Sequence, residues 1–310
     1  MNVILNKTAG GGCAERNWEM VKTHIFNRYN SIKVIDSNQT VSLESVIMDS
    51  IKSEDCNFII AGGDGTINYF TNKLFEVLNE ENIKKIKIGA VGIGSSNDFC
   101  KPYDIQNCIE KIPCKIDFNS TQAMDVGTIR YKSGVQLLKK YFLLNASVGV
   151  TAQANNFFNN PSRILNYLKR HFKNLAILYT AIRTIIIYKG YDIQLIFDAN
   201  EAYSFCVSNL AIVKNPNISG NISFPVKADY QNGLFDIFLT HSMNRIELIR
   251  LLQSLTKNVF PKNDKSKHCR TSCLKLKAAD NFLIEFDGEV ITTNYAEFSI
   301  LNKYLNVCVN

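Results

Sequence analysis

Gly62, Gly63, Asp64, Gly65 and Thr66 form the stretch of this 310-residue chain whose residue types and spacing point most directly to chemistry. The apolar run before them, Asn57-Phe58-Ile59-Ile60-Ala61, is β-branched, ends in glycines and reads as a buried parallel strand. After them Ile67, Phe70, Leu74, Phe75, Val77 and Leu78 recur at roughly helical spacing. The glycines therefore sit at a strand-to-helix corner, where the chain can turn sharply and a ligand can reach backbone N–H groups with no Cβ in the way. Such a corner suits phosphate. A carboxylate beside polyphosphate is repelled unless a cation lies between them, so Asp64 points to a magnesium-nucleotide site, acting through Mg²⁺ or a metal-bound water. A tight turn with a capping Asp or Thr is the other reading, and one corner alone does not separate the two.

The elements that must position this corner repeat its pattern. Residues 3–5 read as a first strand ending at Asn6-Lys7-Thr8-Ala9-Gly10-Gly11-Gly12, a second glycine corner. A helix pattern follows through Trp18, Val21, Ile25 and Phe26, then a strand at 31–35, a turn at Asp36-Ser37-Asn38 and a helix at 42–51. Beyond the central motif, residues 86–91 read as a fourth strand running into a third corner, Gly92-Ile93-Gly94-Ser95-Ser96-Asn97-Asp98-Phe99. Alternating β and α segments imply a parallel sheet with helices on both faces. In such sheets the corners after the strands gather along one edge, where ligands bind. Three glycine-bearing corners on one edge are much harder to explain as turns than one.

After Pro113 the pattern changes. Residues 115–118, 123–131 and 137–144 read as successive strands without intervening helices, and 156–188 as mostly helical. The helical stretch carries a basic cluster, Lys169, Arg170, His171 and Lys173, beside an apolar run from 175 to 187 that Arg183 interrupts. Strands at 193–197 and 203–213, a loop at 215–221, a strand at 234–240, a helix at 245–255 and strands at 273–278, 282–286 and 296–301 complete the pattern. The expected architecture is α/β. A Rossmann-like parallel-sheet nucleotide-binding domain at 1–121 precedes a second, mainly antiparallel domain at 122–296.

Composition bounds the function more loosely. At roughly 150 residues per domain the length favours two domains, and 46% hydrophobic with 20% charged residues indicates packed cores. A net charge of +7 is compatible with nucleotides, anionic lipid surfaces or nucleic acid and selects none of them. The nine cysteines are odd in number and scattered, which favours free thiols and a reducing cytoplasm. Cys269 and Cys273, with His268 adjacent, lack a second cluster that would complete a zinc site. The N-terminus has no signal-peptide layout, and no uninterrupted apolar segment is long enough to span a bilayer.

Together, Asn6-Lys7-Thr8-Ala9-Gly10, Gly62-Gly63-Asp64-Gly65-Thr66-Ile67-Asn68, Gly94-Ser95-Ser96-Asn97-Asp98-Phe99 and Asp287-Gly288-Glu289 resemble the diacylglycerol kinase catalytic-domain family, closest in type to the soluble bacterial lipid kinases. Gly-Gly-Asp-Gly-Thr alone is shared with NAD kinases. The late Asp-Gly-Glu and the strand-rich second half favour the lipid branch. The resemblance implies that the second domain is a β-sandwich, that residues 297–310 return to the first domain, and that the active site lies between the domains. It implies ATP contacts from Asn6, Lys7, Thr8, Ala9, Gly10, Ser37, Gly63, Asp64, Gly65, Thr66, Ile67, Asn68, Tyr69 and Ser95. Asp64 and Asp98 would belong to a Mg²⁺–water network, and Glu289 would be the general base that takes the proton from a lipid hydroxyl. In isolation, Asp287-Gly288-Glu289 reads as a hairpin turn with two solvated acids.

Several positions depart from the family pattern. Lys7 stands where proline is usual, Ser96 where glycine is, and Tyr69 where an acidic residue is. A structural Mg²⁺ of the second domain would be held here by Asp229, Asn232 and the Leu234 carbonyl. Asn232 replaces the usual aspartate, and an amide oxygen binds Mg²⁺ more weakly than a carboxylate. Gln153 takes the place of the aspartate that serves the amino alcohol in sphingosine kinases. The resemblance therefore implies an ATP- and Mg²⁺-dependent kinase acting on diacylglycerol or a related lipid, cytoplasmic, in peripheral contact with an anionic membrane surface, without a nucleic-acid partner. It leaves open a homodimer, a NAD kinase-like enzyme acting on a soluble substrate, and a nucleotide-binding regulator that has lost catalysis.

Overall fold

The computed structural model describes residues 1–37, 42–101, 108–198, 201–219 and 222–310, without the side chains of residues 173, 174 and 219. Asn38 of the expected turn, Gly220 and Asn221 of the expected loop, and the Lys173 side chain of the basic cluster lie outside what is described. The chain forms two compact units, Met1–Val126 with Leu301–Asn310, and Gly127–Ile300.

The first unit alternates strand and helix: β1 (Asn2–Leu5), α1 (Ala14–Arg28), β2 (Lys33–Asp36), α2 (Leu43–Lys52), β3 (Asn57–Gly62), α3 (Asp64–Val77), the short α4 (Glu80–Ile83) and β4 (Lys87–Gly92). These strands are parallel in the order β2-β1-β3-β4. Val3 lies opposite Val34 on one side and Ile59 on the other, and Ile60 opposite Ala90. A two-strand meander, β5 (Cys108–Ile109) and β6 (Ile112–Lys115), adds β6 antiparallel to β4. Trp18, Val21 and Ile25 of α1 pack on Val3, Leu5, Ile59, Ala61 and Val91. That apolar stripe at helical spacing is what fixes α1 to its face of the sheet.

Strand β7 (Thr121–Ser133) begins in the first unit, and from Gly127 on, in the second, it forms a hairpin with β8 (Gln136–Phe142); β9 (Asn145–Gly149) leads into three helices, α5 (Val150–Asn159), α6 (Arg163–His171) and α7 (Lys173–Ile187). The rest is β10 (Tyr191–Phe197), β11 (Ala202–Val213), the short pair β12 (Asn217–Ser219) and β13 (Ile222–Ser223), β14 (Phe235–His241), α8 (Arg245–Leu255), β15 (Ser266–Thr271), β16 (Cys273–Phe286) and β17 (Glu289–Cys308). The strands here run antiparallel in the order β15-β14-β11-β10-β16-β17, with β9 against both β11 and β16. Their core holds Phe142, Phe235, Phe282, Phe286 and Phe298. The last residues of β17, Asn306 and Val307, pair parallel with β4 inside the first unit.

The stretch 156–188 is mostly helical, as expected, and is divided among the end of α5, α6 and α7. Pro161 separates the first two, and the Ser162 side chain caps α6 by accepting from the Leu165 N–H at 3.3 Å. Strand β15 was not legible: Ser-Lys-His-Cys-Arg-Thr lacks apolar alternation, since it is an exposed strand paired on one side by β14.

Candidate functional site

The three glycine corners meet in the first unit at the carboxyl ends of β1, β3 and β4. A Cβ at Gly94 would stand 2.3 Å from the Gly63 Cα, and one at Gly10 would stand 2.8 Å from the Ile93 carbonyl oxygen. Glycine is required at both contacts, and Gly10 also has φ +62°. Polar side chains lock the arrangement. The Asn6 amide donates to Thr66 Oγ1 at 3.0 Å, while its Oδ1 accepts from the Thr8 N–H at 3.1 Å and the Thr8 hydroxyl at 2.8 Å. Asn97, in the left-handed region at φ 53°, accepts from the Gly94 N–H at 2.9 Å and donates to the Gly92 carbonyl at 2.9 Å. Asn97 tolerates that backbone better than most residues because its short amide bonds locally.

Asp64 ties the second corner to the third. Its carboxylate accepts from the Asp98 N–H at 3.0 Å and the Phe99 N–H at 2.9 Å. Burial, and then the neighbouring Asp98 charge, raise its pKa to about 6 against the pull of those two amides. Asp98 is itself buried and pairs with Lys101 at 2.7 Å. Asp64 is therefore a bridge between corners as well as a candidate ligand, and each of its oxygens keeps a further lone pair.

The other expected nucleotide residues divide by position. Thr8, Ala9 and Gly10 line the first corner, and Gly65 is exposed at the start of α3. Ile67 and Asn68 are buried on the inner face of α3, where Asn68 Oδ1 accepts from the Asn72 amide at 3.0 Å. Any nucleotide contact there must use the backbone. Tyr69 is exposed, with the Lys73 ammonium 5.9 Å from its ring centre. Lys7 faces Glu15 and Asp36 at 3.7 and 3.6 Å. Ser37 is bound to Leu5 by backbone, N–H to carbonyl, at 2.9 Å, and Ser95 is exposed at the tip of the third corner.

In the second unit the turn between β16 and β17 carries three acids in different states. Asp287 accepts from the backbone N–H groups of Leu143, Leu144 and Asn145 at 2.6, 3.0 and 3.0 Å, so it fixes the turn. Glu285 is buried, accepting from the Ser147 hydroxyl at 2.8 Å and the Gly288 N–H at 2.9 Å. Glu289 is half-buried, and among the described residues no hydrogen bond or ion pair occupies its carboxylate. Glu285 was not singled out from sequence. The β alternation puts Phe282, Ile284 and Phe286 on the core face and Glu285 on the opposite one, so its burial beside Ser147 of β9 is not legible in the sequence.

The oxygens assigned to a structural Mg²⁺ are engaged by a residue the sequence did not mark. The Lys214 ammonium donates to the Asp229 carbonyl at 2.9 Å, Asn232 Oδ1 at 3.0 Å and the Leu234 carbonyl at 3.0 Å. Among the described residues no cluster of three His, Cys, Asp or Glu is placed to hold a metal.

The basic cluster beside the apolar helix is also rearranged. Lys169 turns back onto the Phe158 carbonyl at 3.1 Å and the Phe158 ring at 4.2 Å, while Arg170 stays exposed. On α7 the usual order of faces is largely inverted. Ala176, Thr180 and Thr184 are buried together with a single large aliphatic, Ile185, while Leu175, Leu178, Ile182 and Ile186 are each about half exposed, at 51, 51, 48 and 52%. No described helix is long and apolar enough to cross a membrane.

Comparison with known proteins matches these features to one family. The model of the diacylglycerol kinase catalytic domain matches residues 1–129, and that of the YegS C-terminal NAD kinase beta sandwich-like domain matches residues 145–309. The chain belongs to the family in which these two domains are joined, a family of kinases. A diacylglycerol kinase of Staphylococcus epidermidis is 23% identical over 262 residues, covering 83% of this chain and 75% of its own. One from Staphylococcus aureus is 22% identical over 253 residues, covering 80% and 73%. The crystal structure of a diacylglycerol kinase from Bacillus anthracis superposes with a TM-score of 0.69 at 15% identity, covering 100% of this chain and 96% of that one, which shows the shared fold.

Proposed function

We propose that this protein is an ATP-dependent lipid kinase that transfers the γ-phosphate of ATP to the hydroxyl of diacylglycerol or a related lipid. The observation that carries this reading is the meeting of the Gly10, Gly63 and Gly94 corners at the carboxyl ends of β1, β3 and β4. Glycine backbone there offers N–H groups to phosphate, at the edge of a parallel sheet where nucleotides bind. Phosphoryl transfer needs little covalent help from protein. It needs the phosphate held in line, its charge balanced, and a base for the nucleophile. The backbone from Asn6 to Gly10 and from Gly63 to Thr66 holds the nucleotide, with Ser95 at the third corner. Mg²⁺ balances the phosphate charge when bound, and Asp64 and Asp98 fit its water shell because both carboxylates lie beside the corners. Glu289 takes the proton from the lipid hydroxyl, and its carboxylate is the one in its turn that the fold leaves unspent.

The inverted α7 supports a lipid acceptor. Leucine and isoleucine side chains facing water cost roughly 25 cal/mol per Å² of apolar surface, and a bilayer removes that cost. Arg170, exposed at the end of α6, suits an anionic headgroup layer. The test is transfer of ³²P from [γ-³²P]ATP in the presence of diacylglycerol micelles, a panel of other lipid alcohols, and NAD. Label in an organic-phase product supports the proposal. Label only in an aqueous NAD product, or none at all from folded protein that binds ATP, overturns it.

A further inference from the structure

The loop 229–234 carries a buried cation of its own. Lys214 follows β11 and is 4% exposed, and its ammonium meets three oxygens of one loop, at 2.9, 3.0 and 3.0 Å. An ammonium has three N–H donors, and a buried one is costly unless they are satisfied. These distances are those of N–H···O bonds. Mg²⁺ demands near-octahedral oxygens at about 2.0–2.1 Å, so the same three oxygens cannot serve both cations at once. Asn232 is part of the same device. Its Oδ1 accepts from Lys214 and from the Leu234 N–H at 3.0 Å, and Gly233 at φ +67° lets the loop close tightly around that oxygen.

We propose that the Lys214 ammonium is a built-in replacement for a divalent cation in this loop, and that Asn232 is its charge-matched partner. A divalent ion with one aspartate carries a local charge of +1. A lysine with an asparagine carries the same +1, so the two substitutions together leave the loop's electrostatics unchanged, whereas either alone shifts them by a full unit. The consequence is a second unit whose loop is pinned without metal.

The backbone at Lys214, independently of its side chain, is tied to the turn of Glu289. The Lys214 and Asn215 N–H groups both donate to Asn145 Oδ1 at 3.1 Å, and the Asn145 N–H donates to Asp287 at 3.0 Å. The inference holds whichever acceptor is phosphorylated, because its readout is metal dependence and not turnover.

The test uses the full chain without nucleotide. Thermal melting is recorded in EDTA and in millimolar Mg²⁺, and Mn²⁺ binding is followed by its electron paramagnetic resonance signal. Wild type is expected to melt at the same temperature in both buffers. Lys214→Met should lower Tm by on the order of 5–10 °C in both, since the three oxygens lose their cation and the apolar side chain supplies none. Lys214→Ser with Asn232→Asp should melt low in EDTA and recover in Mg²⁺, gaining one Mn²⁺ site that wild type lacks. Asn232→Asp alone should gain no metal site, because Lys214 then has a carboxylate partner. Mg²⁺ stabilisation of wild type that Asn232→Leu abolishes would overturn the proposal. A folded double variant with no metal response would overturn it too.

Discussion

Asp64 and Lys214 are charged side chains that each pin a loop, and they do so in opposite ways. Asp64 accepts two backbone N–H groups from the third glycine corner, with a second acid, Asp98, near enough to raise its pKa. Lys214 donates to three oxygens of the loop 229–234. The lysine spends its charge on the fold. The aspartate holds its charge at a cost, beside the glycine corners, and that is where a cation brought by a nucleotide lowers the energy most. A buried charge neutralised by its surroundings marks architecture, and one opposed by its surroundings marks a site.

Breaking the Asp64 side of that comparison should give the largest effect. Asp64→Asn keeps one acceptor for the Asp98 and Phe99 amides but turns an NH₂ toward the other. We expect turnover to fall by ~10³-fold or more, with the fold retained and about 1–2 kcal/mol of stability lost. Steady-state kinetics beside urea melts check this, and near-normal kcat with the same stability loss would make Asp64 a staple only. Next comes the turn of the second unit. Glu289→Gln should lower kcat by ~10²–10⁴-fold and leave nucleotide affinity nearly unchanged. Asp287→Asn should instead destabilise, because it weakens the acceptor for three backbone N–H groups. Normal turnover in Glu289→Gln with a folded, inactive Asp287→Asn would move the base to the other acid.

A smaller effect is expected at the surface. Leu178→Ser with Ile182→Ser on α7 should leave Tm within a degree or so, since both side chains are half exposed, and weaken sedimentation with anionic vesicles several-fold. Equal binding by wild type and variant would remove the bilayer as the partner of that face.

The smallest effect sharpens the comparison through pH. Folding raises the Asp64 pKa to about 6, above an ordinary carboxylate, so between about pH 4 and 6 the folded state holds more protons than the unfolded one. Stability from this group is therefore lost as pH rises through that window. The penalty is absent below it and complete above it, at about 1–2 kcal/mol after solvent screening. Subtracting the pH dependence of Asp64→Asn from that of wild type isolates it. A difference that grows more favourable to wild type with rising pH would reverse the assignment.

The sequence by itself determined the alternation of strand and helix in the first unit, the strand-rich second unit, the three glycine corners and the kinase family. Each of these is local: a period of two or 3.6, a glycine where φ or close approach forbids a Cβ, a short motif. It also made Asn232 stand out. Only the tertiary structure decided what surrounds these residues. Nothing near Lys214 in the chain distinguishes it from a solvated lysine at the end of a strand, because its partners lie 15 to 20 positions later in sequence. The apolar run of α7 reads as core from its composition, yet Ala176, Thr180, Thr184 and Ile185 face inward while Leu175, Leu178, Ile182 and Ile186 stay about half exposed. Likewise Asp64 reads as a ligand or a cap, and only the return of the third corner onto it supplies the two amides and the second carboxylate that set its charge. Backbone preference is written residue by residue, whereas the energy of a charge depends on every dipole packed around it, and those dipoles come together only when the chain has folded.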